Sequence, residues 1–273
     1  MMALLLITVQ SMVPPAERRA LVDLYHATGG AQWKNSTGWL IGDPCAVYWF
    51  GVFCNKEGTH VTMVFPNPEY SGNTLVGTLP ESFYNLTKLE HIYLSNDRPG
   101  WSRLTGQLLP AIGRMQGLKC LYLSHAGDMS GSLPAAISTL TRLQGLYLRW
   151  TSFSGPLPDL RPLTNLSKLF LDAAPLGACP PFCKNAFNGT LRQLVGLPLA
   201  HLDVAGNQFS GVFPTELCAI PKCTAWGNHF EAPARPKGCC DGVDTKANDL
   251  GRMALAGNEC VDHHFPAPGS TFG

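Results

Sequence analysis

The sequence predicts an α/β solenoid, a column of stacked coils in which each coil contributes one short parallel strand. Apolar pairs recur at Ile92/Leu94, Leu121/Leu123, Leu146/Leu148, Leu169/Leu171, Leu202/Val204 and Cys223/Ala225, with steps of 29, 25, 23, 33 and 21 residues between their last members. Apolar residues at three-residue intervals lead into the pairs, as in Leu86, Leu89, Ile92 and again in Leu163, Leu166, Leu169. Most pairs are followed by a small residue, a glycine and a Leu-Pro step, and Gly77, Gly106, Gly131, Gly155, Gly189 and Gly211 mark these turns. A coil of about 24 residues cannot cover its own leucines, so neighbouring coils must stack to bury them in one column.

The chain has 273 residues with 28 Gly and 22 Pro, the punctuation of many short elements rather than a few long ones. Residues 1–13 carry a short apolar core from Ala3 to Val9 with no basic residue before it, which reads as a weak signal peptide or an altered start. Residues 14–59 form an N-terminal cap. Pro14 and Pro15 can start a helix in which Leu21, Leu24 and Tyr25 share a face, and Gly29-Gly30 can end it. Residues 60–233 hold the repeats, about six or seven. The glycines allow a positive φ, and the prolines fix φ in the outer part of each coil. Two steps are longer than the rest and carry insertions, Asp97 to Arg103 and Ala173 to Ala186. Residues 234–273 lack the rung pattern and are expected to form a cysteine-containing cap and tail.

The rungs resemble those of plant-type extracellular leucine-rich repeat proteins, L-x-x-L-x-L-x-x-N-x-L-x-G-x-x-P, and "LAHLDVAGNQFSGVFP" at 199–214 is the cleanest copy. Polygalacturonase-inhibiting proteins and receptor-like kinase ectodomains belong to this group. The resemblance implies a right-handed horseshoe with a concave parallel sheet. The asparagine that bonds neighbouring coils stands clearly only at Asn207 and Asn228, with Thr151 in its place in the rung at 143–165. "GGAQWKNSTGW" and "DPCAVYWFGVFC" are similar to the family's N-terminal cap, which implies a disulfide between Cys45 and Cys54 and a core role for Trp33, Trp39 and Trp49.

Ten cysteines and four Asn-x-Ser/Thr acceptors, Asn35, Asn85, Asn165 and Asn188, fit a secretory, oxidising compartment, so a secreted or cell-surface glycoprotein is expected. Cys179 and Cys183 are expected to close a loop in the second insertion, and Cys120 to remain a buried thiol. The pairing of Cys218, Cys223, Cys239, Cys240 and Cys260 stays open, with disulfides favoured over a zinc site because no Cys-x-x-Cys pair is present. No cofactor and no metal are expected.

Side chains alternate along a strand, so the residue between the two buried members of each pair faces out of the concave sheet. These positions read Tyr93, Tyr122, Tyr147, Phe170, Asp203 and Thr224, an aromatic stripe expected to be exposed, with Phe65 a less certain fifth ring. Cross-strand packing is the plainer reading of such a stripe, and contact with a partner the functional one. Both insertions enter just after the concave strand, so Arg98, Trp101, Arg103, His125, Arg149 and Trp150 are expected along one rim. Trp and Arg dominate interface hot spots.

A formal net charge of +1 without a long run of one sign excludes a nucleic-acid footprint. No stretch reaches the roughly 18 apolar residues of a membrane span. There is no Gly-x-Ser-x-Gly, His-Glu-x-x-His or phosphate loop, so no catalysis is expected. The expected function is a monomeric recognition module for a protein or glycan. The alternatives are an inhibitor of a secreted polysaccharide-degrading hydrolase and an ectodomain fragment of a membrane receptor.

Overall fold

The computed structural model describes residues 13–66, 73–94, 102–173, 184–231 and 239–240. Among the described residues the one α-helix, α1 (Pro15–Ala27), comes first, with proline in its first turn, where a missing N–H costs nothing. Leu21 and Leu24 are fully buried, and Gly29, at φ +72°, turns the chain after the helix. Glu17 is buried on the same helix, where its carboxylate accepts the Val61 N–H at 2.9 Å and sits 2.7 Å from His60 Nδ1. These contacts fasten the cap to the first coil.

The fifteen strands described alternate between two sheets. The concave sheet contains β1 (Val52–Cys54), β2 (Val61–Val64), β4 (His91–Tyr93), β6 (Cys120–Tyr122), β8 (Gly145–Tyr147), β10 (Lys168–Phe170), β12 (His201–Asp203) and β14 (Lys222–Thr224), in that order. Only the β1–β2 pair is antiparallel; each later strand lies parallel to its neighbour. The second sheet contains β3 (Leu75–Thr78), β5 (Ser102–Gly106), β7 (Asp128–Gly131), β9 (Ser152–Pro156), β11 (Ala186–Gly189), β13 (Gln208–Gly211) and β15 (His229–Phe230), all parallel. The glycines expected in turns lie in these second strands, at or near their ends. Gly106, Gly131, Gly155, Gly189 and Gly211 take φ of 76–88°, which lets the chain leave the strand. A Leu-Pro step or its equivalent then leads into a short 3₁₀ helix at Glu81–Asn85, Pro110–Arg114, Ala135–Thr139 and Thr215–Ala219.

Between the sheets lies the expected column. Ile92, Leu121, Leu146, Leu169 and Leu202 are at most 1% exposed and share one core with Leu94, Leu123, Leu148, Leu171 and Val204. Each such leucine contributes roughly 1.5–3 kcal/mol by leaving water. On the second-sheet side Phe153, Phe187 and Phe209 stack nearly parallel at 6.4 and 6.5 Å, a spine of rings one coil apart.

Buried asparagines join the coils. Asn207 accepts the Phe187 N–H and donates to the carbonyls of Leu171, Val204 and Ala205. Asn228 does the same one coil later, accepting from Phe209 and donating to Val204 and Ala225. A third rung of this ladder is Asn185, hidden from the sequence pattern by the long insertion before it. It donates to the carbonyls of Leu148 and Leu171, and Thr151 Oγ lies 2.5 Å from its Oδ1.

The Cys45–Cys54 disulfide closes the N-terminal cap, with Trp33, Trp39 and Trp49 buried beside it. At the other end Cys218–Cys239 and Cys223–Cys240 seal the last coil, which leaves these sulfurs unavailable as thiolate ligands. Cys120 is fully buried. Cys179, Cys183 and Cys260 lie outside the described residues.

Candidate functional site

In-register pairing places Tyr93, Tyr122, Tyr147, Phe170, Asp203 and Thr224 side by side on six neighbouring parallel strands. Successive ring centroids from Tyr93 to Phe170 are 6.0, 5.2 and 5.0 Å apart, and Phe65 joins as a fifth ring 5.4 Å from Tyr93. Alternation along the strands therefore places this row on the face opposite the leucine core. The expectation of an exposed stripe is corrected. The four rings are 4–7% exposed and make a second apolar cluster with Met63 and Cys120, flanked by Phe53 and Phe65. Parity along a strand decides which face a ring is on, but not how much of that ring meets water.

The rim residues His125, Arg149 and Trp150 do come together, as part of a network that includes one residue the sequence reading passed over. Arg149 Nε donates to Asp172 Oδ1 at 2.9 Å and Nη2 lies 3.4 Å from Asp203 Oδ2. The guanidinium also sits 5.0 Å from the Phe170 ring centroid, over the end of the aromatic column. The Trp150 indole N–H donates to Asp172 Oδ2 at 3.1 Å, and its ring meets His125 edge-on at 4.7 Å. Arg149 and both carboxylates are largely buried, at 10–15% side-chain exposure.

Two carboxylates thus share one guanidinium. Asp172 has the shorter contact and accepts the indole N–H as well. Burial, reinforced by Asp172, pushes Asp203 up to about 8, against the pull of Arg149 and the Ala205 N–H. Burial alone would lower the pKa of Arg149, but Asp172 and Asp203 outweigh it and hold the guanidinium charged. His201, 4.3 Å from the Phe170 ring, is lowered to about 4 by burial and then by Lys222, Arg149 and Lys168. At neutral pH its imidazole is uncharged.

His125 and Trp150 also share an unusual backbone. Their φ values are +65° and +54°; at the same step Ala173 follows β10 without a positive φ, and Gly206 (+70°) and Gly227 (+69°) follow β12 and β14. The amide there bonds across to the next coil, as in His125 N–H to Arg149 O and Trp150 N–H to Asp172 O. Where this step takes a positive φ it favours glycine, because a Cβ in the left-handed region costs roughly 1–2 kcal/mol. Two large rings occupy it beside the charged network instead. The available signal was the alignment of His125 and Trp150 with Gly206 and Gly227.

Toward the C-terminal coils the concave face opens. Lys168 and His201 are half-buried, Lys222 is exposed, and Trp226 is 50% exposed. Arg103 does not belong to the rim, because it lies exposed in β5 of the second sheet, paired with Val76. Arg98 and Trp101 fall outside the described residues. Asn85 and Asn165 are exposed away from the concave strands. Asn188 is half-buried within β11, and Asn35 is engaged by the Thr37 amide and hydroxyl.

Residues 198–220 match the family model described as Leucine Rich Repeat. Protein STRUBBELIG-RECEPTOR FAMILY 2 of Arabidopsis thaliana is 27% identical over 286 residues, covering 97% of this chain and 36% of that protein. Protein STRUBBELIG-RECEPTOR FAMILY 3 of the same organism is 33% identical over 212 residues, 71% of this chain and 25% of its own length. The chain therefore spans about a third or less of these relatives. In fold, the crystal structure of PEPR1-AtPEP1 superposes with a TM-score of 0.60 at 22% identity, over 81% of this chain and 28% of that one. With its two parallel sheets, asparagine ladder and disulfide caps, the chain is a leucine-rich repeat protein of the plant type, similar to plant receptor-like proteins.

Proposed function

We propose that this chain is a non-catalytic extracellular recognition module that binds a protein or glycan through its concave face, over β10, β12 and β14 and the adjoining rim. The observation that carries this reading is the network of His125, Trp150, Asp172, Arg149 and Asp203. It keeps two bulky side chains in a backbone conformation that glycine fills in later coils. Strain of this kind persists where the surroundings hold it and is concentrated at binding sites. The aromatic column, with Tyr93, Tyr122, Tyr147 and Phe170, acts as the rigid floor that orients Arg149 and His201. The half-exposed Trp226 supplies contact area. Disulfides at both ends fit an oxidising compartment.

The similarity to proteins named as receptors favours one form of this module, the ligand-binding part of a membrane receptor. Asn85 and Asn165, both exposed, are the acceptors best placed to carry glycans without crowding the concave face. Endoglycosidase treatment of the secreted protein and of its Asn85→Gln and Asn165→Gln forms reads this out as two mass shifts.

Panning a displayed peptide library and a glycan array with the folded protein tests the binding reading. Retained ligands are expected to lose about tenfold or more in affinity to a Thr224→Ala, Trp226→Ala double variant, as truncation of contact residues does. Val212→Ala is the control, because Val212 is 61% exposed beyond the end of β13. Ligands that respond to Val212→Ala and ignore the double variant would move the site to the other sheet.

A further inference from the structure

Lys168, His201 and Lys222 are direct neighbours in register on β10, β12 and β14. They occupy the same row of the concave face, one step before Phe170, Asp203 and Thr224. Strand spacing sets the two lysine backbones roughly 10 Å apart, with the imidazole between them. Neither lysine has an acidic partner among the described residues. The carboxylates on this part of the sheet are already committed, Asp172 to Arg149 and the Trp150 indole, Asp203 to Arg149 and the Ala205 amide. The row therefore presents two ammonium groups without acidic partners on the coils that lead to the exposed Trp226, and the imidazole between them is held neutral by burial first and by Lys222, Arg149 and Lys168 after it.

Resting on the recognition reading above, we propose that the ligand is a peptide whose acidic side chains dock on Lys168 and Lys222. Its segment runs across the strands, parallel to the solenoid axis. An extended chain advances about 3.3 Å per residue, so carboxylates two or three positions apart span the gap between the lysines. The neutral His201 offers a hydrogen bond between the two charge contacts. Trp226, on the last coil, receives an apolar residue next to the acidic pair. Charge complementarity selects such a segment, and the neutral middle position disfavours an unbroken acidic run.

The probe is a terminally blocked peptide, Ser-Glu-Ser-Glu-Ser-Trp, so that only side-chain carboxylates carry charge. Its lysine counterpart and a uronate oligomer run in parallel. Saturable binding of the acidic peptide is expected, weakening with salt, with at least a tenfold loss in a Lys168→Glu, Lys222→Glu double variant of unchanged melting temperature. Arg142→Glu, on another part of the coil, should bind as the parent does. No saturable binding, binding equal in the charge-reversed variant, or tighter binding of the uronate oligomer through the same lysines overturns the proposal. If library peptides without acidic residues still bind through Trp226 and Thr224, the recognition reading stands while this inference fails. Retention of no ligand of any kind overturns both.

Discussion

Replacing Trp150 in two ways separates the side chain's contribution from the backbone's. Trp150→Ala and Trp150→Gly both remove a buried indole that is 8% exposed, its edge-on contact with His125 and its hydrogen bond to Asp172. Burial of a tryptophan covers about 150–250 Å², worth roughly 4–6 kcal/mol at 25 cal/mol per Å², and this loss is common to both variants. They differ in the backbone. At an ordinary position alanine is more stable than glycine by about 0.4–1 kcal/mol, through the entropy of the unfolded chain. At φ +54° the alanine Cβ carries the left-handed penalty of about 1–2 kcal/mol, which glycine avoids. The glycine variant should therefore be the more stable of the two by roughly 0.5–1 kcal/mol. Urea unfolding followed by circular dichroism at matched m-values measures the difference. An alanine variant as stable as the glycine variant, or more so, would refute the argument that this position strains its side chain.

Three further perturbations act on separate parts of the account. Asp203 is raised to about 8, so between its unfolded value near 3.9 and about 8 the folded chain holds a proton that the unfolded chain has lost. Stability should then fall as pH rises from 6.5 to 8, by at most ~1.4 kcal/mol per pH unit, and Asp203→Asn should flatten that slope in pH-dependent urea unfolding. His201 slopes the other way between its folded value of about 4 and its unfolded value near 6.5, so its opposing contribution is half spent at pH 6.5 and gone by about pH 7.5. Asn207→Ala leaves the Phe187 amide and three carbonyl contacts without their partner and should cost about 3 kcal/mol, whereas the half-buried Asn228→Ala should cost about 1 kcal/mol. Replacing Cys218 and Cys239 by serine opens a bridge of sequence separation 21 and should cost about 3 kcal/mol in denaturant, with the last coil exchanging its amides first.

Much of the column is visible in the leucines, because stacking imposes one inward residue type at one phase in every coil. Tyr93, Tyr122, Tyr147 and Phe170 fall into register from that phase alone. The second sheet was read as turns, because its strands are two to five residues long and carry no sustained alternation; their mark is a phenylalanine such as Phe187 followed by a glycine. Asn185 escaped because the insertion before it breaks the count from Leu171. Asp172 stands two residues after Phe170 on the same face, yet an acid on a solvated strand carries no local signal until Arg149 from the preceding coil reaches it. The aromatic rings were expected to be exposed because alternation assigns a face, whereas burial depends on what packs over that face in three dimensions.

Amide hydrogen exchange, with and without a ligand retained in the panning experiment, tests the central claim most directly. The account predicts slowed exchange at Lys168–Phe170, His201–Asp203 and Lys222–Thr224, with no change in β9, β11 or β13. Protection confined to the second sheet, with the concave strands unaffected, would contradict it.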